Sequence, residues 1–331
     1  MTYFRPLVQT DGAFVLAGGW ARFDRVEVLT RGAAPRIVAA ADIPDEIRTR
    51  LTAPRPAIMS VSLDQPRVMG ILNVTPDSFS DGGDFVTTAD AVCRAKEMLT
   101  DGAQFIDIGG ESTRPGAREV PVAEELQRVA PVVERVAALE HAVVSVDTRK
   151  AAVVAGITAD VLVNDVSAMR FDSDMARTVA GKGAPVCLMH SIATPETMQA
   201  NAAYDDVLLD VYDHLEERIA FAEKNGIARA KIIVDPGIGF GKTLEHNLIL
   251  IRGLSLFHGL GCPILLGASR KRFIGTIGNA PEAKDRLGGS LSVALEGVRQ
   301  GVQILRVHDT FATKQALDLQ MAMIGTAGND T

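Results

Sequence analysis

Eight short apolar runs, rich in β-branched residues, recur after residue 66: VMGILNV (68–74), FIDIGG (105–110), AVVSVDT (142–148), VLVNDVS (161–167), APVCLMH (184–190), KIIVDPG (231–237), PILLGAS (263–269) and QILRVHD (303–309). They lack the polar alternation of a half-exposed strand, as expected for strands covered on both faces. Helix-like stretches separate them, at 88–100, 122–139, 204–225 and 282–300. In the last of these, Leu287, Leu291, Ala294, Leu295 and Val298 fall at helical spacing. Gly102, Gly226 and Gly301 stand where helices should end. Eight strand–helix units in about 265 residues match a (β/α)8 TIM barrel in count and size. A doubly wound parallel sheet is the alternative; it usually has fewer strands and carries a phosphate-binding glycine turn after its first strand.

The barrel reading has a consequence for function, because active sites of this fold lie at the C-terminal ends of the strands. The eight runs end at Asn73, Glu111/Thr113, Asp147, Asn164, His190, Asp235, Ser269/Lys271 and Arg306/His308. One or two such residues could simply cap helices. Eight together predict a polar ring at the barrel mouth. Asp147, Asn164 and Asp235 supply carboxylate and amide groups, which suit a planar ligand rich in N–H donors, such as an aminopyrimidine-type heterocycle. Arg114, Arg270, Lys271, Arg272, Arg306 and His308 supply a cationic half that suits phosphate or diphosphate. Two long polar loops, NVTPDSFSDGGDF after the first strand and GGESTRPGAREV after the second, have the composition of lids.

Other chemistry is excluded by charge and spacing. The formal charge of −7 speaks against a generally basic surface, so no nucleic-acid partner is expected. Cys93, Cys187 and Cys262 are odd in number and widely spaced, which reads as buried thiols in a reducing compartment. The start MTYFRPLVQTDG has no apolar signal core, and no run of 18 apolar residues exists, so a cytoplasmic protein without a membrane span is expected. PGIGFGKT (236–243) looks like a nucleotide P-loop, but only three residues separate Gly237 from Gly241 where the motif needs four. No His-Glu-x-x-His or Gly-x-Ser-x-Gly is present. His141, His214, His246 and His258 fall in helix-like or connecting segments and are assigned no chemistry.

Residues 1–66 stand apart as a small N-terminal appendage, with strand-like patterning at 13–17 and 20–29 and a linker at 40–56. The barrel is expected to occupy 67–331 and to remain folded and active without residues 1–60.

The segments NVTPDSFSDGG (73–83), IGGESTRPGA (108–117), SVDT (145–148), VNDVSA (163–168), DPGIGFGK (235–242), SRK (269–271) and RVHD (306–309) together resemble dihydropteroate synthases, in order, from about residue 67 to the end. The resemblance implies condensation of 6-hydroxymethyl-7,8-dihydropterin diphosphate with 4-aminobenzoate, giving 7,8-dihydropteroate and pyrophosphate in folate synthesis. It implies that Asp147, Asn164, Asp235 and Lys271 hold the pterin, and that Asn73 contacts Mg²⁺ on the diphosphate. It places Arg306, His308, Thr113 and Arg114 on the diphosphate oxygens, and Thr113, Pro115, Phe240 and Ser269 around the aminobenzoate. Asp81 is implied in stabilising the cation that develops as pyrophosphate leaves, and a homodimer is implied. A pterin-dependent methyltransferase would share the pterin contacts but not the TPDSFSDGG loop or the Arg306/His308 pair. A non-catalytic pterin-binding paralogue is the alternative from another class.

Overall fold

The computed structural model describes residues 1–75, 87–112, 119–192 and 203–325. Eight parallel strands follow the predicted runs: β5 (Arg67–Asn73), β6 (Phe105–Gly109), β7 (Val143–Asp147), β8 (Leu162–Asp165), β9 (Val186–Met189), β10 (Ile232–Asp235), β11 (Leu265–Leu266) and β12 (Ile304–Val307). They run in the order β10-β9-β8-β7-β6-β5-β12-β11. A parallel bridge between Val234 and Ile264 joins β10 to the start of β11, with the Val234 N–H bonded to the Pro263 carbonyl at 2.9 Å. The sheet thus closes into the expected barrel.

Helices α2 (Thr88–Thr100), α3 (Val122–Ala137), α4 (Ala151–Gly156), α5 (Met175–Lys182), α6 (Val207–Lys224), α7 (Leu244–Arg252), α8 (Arg272–Ile277), α9 (Leu287–Arg299) and α10 (Thr310–Ile324) surround it. Local signals set their limits. Thr87 and Asp90 form a reciprocal cap on α2, and Asp206 accepts the Leu208 and Leu209 N–H groups at the start of α6. Gly102, Gly226 and Gly301 all have positive φ just past helix ends, as their positions in the sequence predict. Among the described residues no helix is long and apolar enough to cross a membrane.

Period-two alternation sorts the barrel interior by height. Met69, Phe105, Val143, Leu162, Cys187, Ile233, Leu265 and Ile304, one from each strand, form a single buried apolar layer at the lower end. Two residues further along stand Asp107, Ser145, Asn164, Asp235 and Arg306. The floor is therefore apolar and five of the eight strands carry polar side chains above it, so the site rests on a packed base rather than over a pore.

The appendage is a four-stranded antiparallel sheet, β1 (Thr2–Gln9), β2 (Phe14–Val15), β3 (Arg22–Thr30) and β4 (Arg36–Ala39), with helix α1 (Asp45–Thr52) beside it. Strand patterning identified β2 and β3, but β1 and β4 escaped it. The expected linker at 40–56 is corrected: α1 lies inside it, and Ile43, Ile47 and Leu51 join Phe23 and Val26 in a small core. Pro44 and Pro54 bracket the helix and mark its ends rather than a flexible connection.

The appendage is also not physically separate from the barrel. Ile58 and Leu63 pack into the apolar floor layer. The Trp20 indole donates to the Val298 carbonyl at 2.8 Å, the Ser255 hydroxyl donates to the Pro6 carbonyl at 2.8 Å, and Arg55 donates to the His258 carbonyl at 2.9 Å. These contacts bear on the expectation that the barrel stands without residues 1–60, because their loss would open apolar floor and flank to water.

Candidate active site

The polar level above the floor is organised by one arginine. Arg306, on β12, donates from Nε to Asp107 Oδ2 at 2.6 Å and from Nη2 to Asp147 Oδ2 at 2.7 Å. Asn164 Nδ2 donates to the same Asp107 oxygen at 3.1 Å. Burial alone would lower the Arg306 guanidinium, but the carboxylates of Asp107 and Asp147 outweigh it and hold it above its ordinary value. Burial pushes the Asp147 carboxyl up, and Arg306 offsets only part of that because Asp107 adds a second negative charge. Asp107 Oδ1, Asp147 Oδ1 and Ser145 Oγ are buried and have no hydrogen-bond partner among the described residues. Buried acceptors left open in this way suit a ligand that brings N–H donors.

Asp235 ends β10 and is also buried, which raises its carboxyl to about 6, against the pull of the Gly237 N–H, Lys271 and Arg306. Its Oδ1 accepts the Gly237 N–H at 2.7 Å. A Cβ at Gly109 would meet its neighbours at ordinary contact distance, 3.4 Å from the Asp147 Cβ and 3.7 Å from Asn73 Oδ1. Asn73, at the end of β5, thus lies close to Asp147.

The wall on the β8–β10 side is apolar. Val166, Met189 and Phe240 form a buried cluster, and Lys271 Nζ sits 4.1 Å from the centre of the Phe240 ring. Ser269 Oγ accepts the His308 N–H at 3.3 Å and lies 3.1 Å from His308 Nδ1. The Ser269 hydroxyl and His308 Nδ1 can share a hydrogen bond in either direction, the ring tautomer deciding which donates. Burial first, then Arg270 and Arg306, lower the His308 imidazole to about 3, so this ring is not a cation at neutral pH.

The structure adds contacts to the two expected halves. His308 stands beside Ser269, and Arg306 is held by two aspartates of the carboxylate side. Arg270 is paired with Asp309, Nε to Oδ2 at 2.9 Å, and Arg272 is an exposed residue at the start of α8. The structure brings together Asn73, Asp147, Asn164, Asp235, Phe240, Ser269, Lys271, Arg306 and His308 at the C-terminal end of the barrel. Asp81, Thr113, Arg114 and Pro115 lie outside the described residues.

Sequence reasoning missed Asp107, although a carboxylate in the middle of the apolar run FIDIGG was a visible signal. It also missed a buried ionic cluster behind the second loop. Lys150 Nζ donates to Glu111 Oε2 at 2.9 Å, Glu125 Oε2 at 2.6 Å and the Val120 carbonyl at 2.7 Å. Arg149 donates to Glu111 Oε1 at 3.0 Å, and the same oxygen takes the Val120 N–H at 3.2 Å. Glu111 and Val120 flank the second loop, so this cluster fixes both its stems just behind Asp147. Glu111 was placed at a strand end, but nothing local announced its partners.

Known proteins are similar to this chain in sequence and fold. A family model described as "Pterin binding enzyme" matches residues 69–308. The chain is 46% identical to the dihydropteroate synthase of Escherichia coli over 273 residues, covering 82% of this chain and 96% of that one. It is 42% identical to the Bacillus subtilis dihydropteroate synthase over 286 residues, covering 85% and 96%. Among solved structures, Yersinia pestis dihydropteroate synthase with a sulfonamide drug superposes with a TM-score of 0.76 at 43% identity, covering 81% of this chain and 98% of that one. The Xanthomonas albilineans enzyme in complex with 7,8-dihydropteroate gives 0.74 at 40% identity, covering 82% and 100%. Matched over most of its length in sequence and in fold, the chain belongs to the dihydropteroate synthase family of pterin-binding enzymes.

Proposed function

We propose that this protein is a transferase that joins 6-hydroxymethyl-7,8-dihydropterin diphosphate to 4-aminobenzoate, releasing pyrophosphate and forming 7,8-dihydropteroate. The observation that carries the reading is the buried set of open carboxylate oxygens on Asp107 and Asp147 beside Asn164 and Asp235, matched to the N–H donors of a pterin. Family membership and the ligands named for relatives, 4-aminobenzoic acid and 7,8-dihydropteroate among them, support it.

In this reading the pterin lies on the polar level with Asp235, Asp147, Asn164 and Lys271 around its edge. The methylene C–O bond breaks with its electron pair leaving on pyrophosphate, and the ring spreads the positive charge. The buried carboxylates of Asp147 and Asp235 stabilise that cation from fixed positions, without solvent reorganisation. The aminobenzoate nitrogen then bonds to the methylene carbon and loses a proton. No covalent enzyme intermediate is required. His308, beside Ser269, and Arg306, steadied by Asp107 and Asp147, hold the diphosphate oxygens. Phe240, Ser269 and the Lys271 stem border the aminobenzoate. Thr113 and Arg114 on the diphosphate, Thr113 and Pro115 on the aminobenzoate, and Asp81 on the developing cation belong to the same proposal.

Among the described residues no group of three His, Cys, Asp or Glu side chains could hold a metal ion. A single amide oxygen from Asn73 nevertheless fits Mg²⁺ that arrives on the diphosphate, since this ion favours oxygen donors and is commonly held by one or two protein groups plus substrate phosphates. When bound, it would neutralise charge on the leaving group.

Residues 67–331 form the catalytic barrel in this proposal, and 1–66 a structural appendage on its floor and flank. A cytoplasmic homodimer completes it. Phe311, Leu319 and Met323 are exposed on one side of α10, within an arc of about a third of a turn, and such an apolar stripe suits a second copy of the chain. The deciding assay supplies pterin diphosphate, Mg²⁺ and 4-aminobenzoate to the purified protein. Dihydropteroate and pyrophosphate should form in equal amounts; no product would overturn the proposal.

A further inference from the structure

The glycine-rich stretch 236–243 looked like a phosphate loop and was rejected on spacing, and its lysine has no part in the chemistry above. Lys242 is buried inside this loop. Its Nζ lies 2.9 Å from His190 Nδ1, 3.0 Å from the Phe240 carbonyl oxygen and 3.4 Å from the His190 carbonyl oxygen. Two of these partners are carbonyl oxygens, which only accept; where His190 Nδ1 is the unprotonated ring nitrogen, an ammonium fills all three contacts and a neutral amine has protons for only two. A phosphate loop turns N–H groups inward around an anion. This one turns the Phe240 carbonyl oxygen toward its own lysine, and His190 supplies the other two partners.

The rest of the loop is pinned as firmly. The Gly237 N–H bonds Asp235, the Gly239 N–H bonds Asn247 Oδ1 at 2.7 Å, and the Tyr204 hydroxyl donates to the Gly241 carbonyl at 3.0 Å. Gly237 has φ +69°, and a Cβ there would stand 2.0 Å from the His190 carbonyl oxygen, so the loop presses directly on the end of β9. Lys242 spans that junction: two of its acceptors follow β9, and the third is the carbonyl of Phe240. The Phe240 ring is the one that meets Lys271 and packs on Met189 and Val166.

We propose that Lys242 is a positioning residue for the condensation: its ammonium fastens the 236–242 loop to the end of β9 and so holds the Phe240 ring as one wall of the 4-aminobenzoate subsite. The inference rests on the proposed function for the identity of that subsite. The groups facing Lys242 are Asp235 on β10, Lys271 beyond β11, His190 beyond β9, and His214 on α6, whose ring stacks edge-on against His190 at 4.7 Å. Burial lowers the Lys242 amine to about 7, with Asp235 raising it and Lys271 lowering it further. Burial holds His190 well below its usual range and brings His214 to about 4, so both rings are neutral where Lys242 titrates. The three-point tie should therefore weaken as pH rises past about 7.

The test is steady-state kinetics on the full chain, wild type against Lys242→Met, with calorimetry on a pterin lacking phosphates. The KM for 4-aminobenzoate should rise at least about tenfold in Lys242→Met, while the pterin Kd stays within about threefold. In the wild type the same KM should climb between about pH 7 and pH 9, and Lys242→Met should lack that climb. A merely structural role would lower Tm and the active fraction without moving KM or its pH dependence. An unchanged KM in the variant, or a flat wild-type profile, overturns the proposal. Should Lys242→Met fail to fold, Lys242→Gln takes its place, with the same rise in KM expected and an unchanged KM overturning the proposal. If the wild type forms no dihydropteroate, the proposed reaction fails instead, and calorimetric titration of 4-aminobenzoate into both proteins with pterin and pyrophosphate present still tests the lysine.

Discussion

Replacing Asp107 by asparagine tests the arrangement at its centre. The side chain is completely buried, and one of its oxygens takes both the Arg306 Nε at 2.6 Å and the Asn164 amide at 3.1 Å. Asp107→Asn keeps the shape and removes the charge. Removing one partner of a buried ion pair costs roughly 3–5 kcal/mol, because the other charge is left without compensation. Arg306 retains Asp147, which puts the expected loss at the low end, about 3 kcal/mol. A second effect is electrostatic. Asp107 is among the groups that raise the Asp147 carboxyl, so its removal lets that carboxyl fall toward its ordinary range. Equilibrium urea unfolding of the ligand-free protein reads the first effect, and the slope of the transition should not change. Calorimetric titration with a pterin reads the functional one: affinity should fall at least about tenfold, since the open acceptor Oδ1 is replaced or displaced by an amide. A stability loss under about 1 kcal/mol together with unchanged pterin affinity would refute the view that Arg306 depends on Asp107 and that the open oxygens receive the ligand.

Asp235→Asn should stabilise the ligand-free protein at neutral pH while weakening pterin binding. Its folded carboxyl is raised from 3.8 to about 6, so its favourable contribution is complete below 3.8 and is lost as pH rises through 6. That lift corresponds to about 3 kcal/mol, an upper bound for the gain measured by urea unfolding; an unchanged or lower stability would contradict the burial argument. Removal of residues 1–60 should give an insoluble or unfolded chain, because Ile58 and Trp20 pack on the barrel, and a soluble, cooperatively melting fragment would show the appendage to be dispensable. Sulfonamides should inhibit competitively with 4-aminobenzoate, and pyrophosphate should strengthen their binding; inhibition that excess 4-aminobenzoate cannot relieve would rule out a shared subsite.

The sequence by itself determined the architecture and most of the ring. Strand burial on both faces, helix spacing and end signals are local properties, so eight runs and the glycines after α2, α6 and α9 could be read along the chain. The polar residue closing each run then followed from the barrel's own geometry. Proline misled in the appendage, where Pro44 and Pro54 bound α1 instead of loosening a linker. Tertiary structure decided the pairing. Arg306 meets Asp107 across 199 residues of chain and Asp147 across 159, a pairing with the carboxylate side that no local pattern announces. It also bears on ionisation: no residue type reveals that burial lowers the His308 imidazole or that Lys242 meets three polar atoms, because both depend on the surrounding structure. Periodicity fixes which face a side chain occupies; only closure of the barrel fixes which side chains share that face.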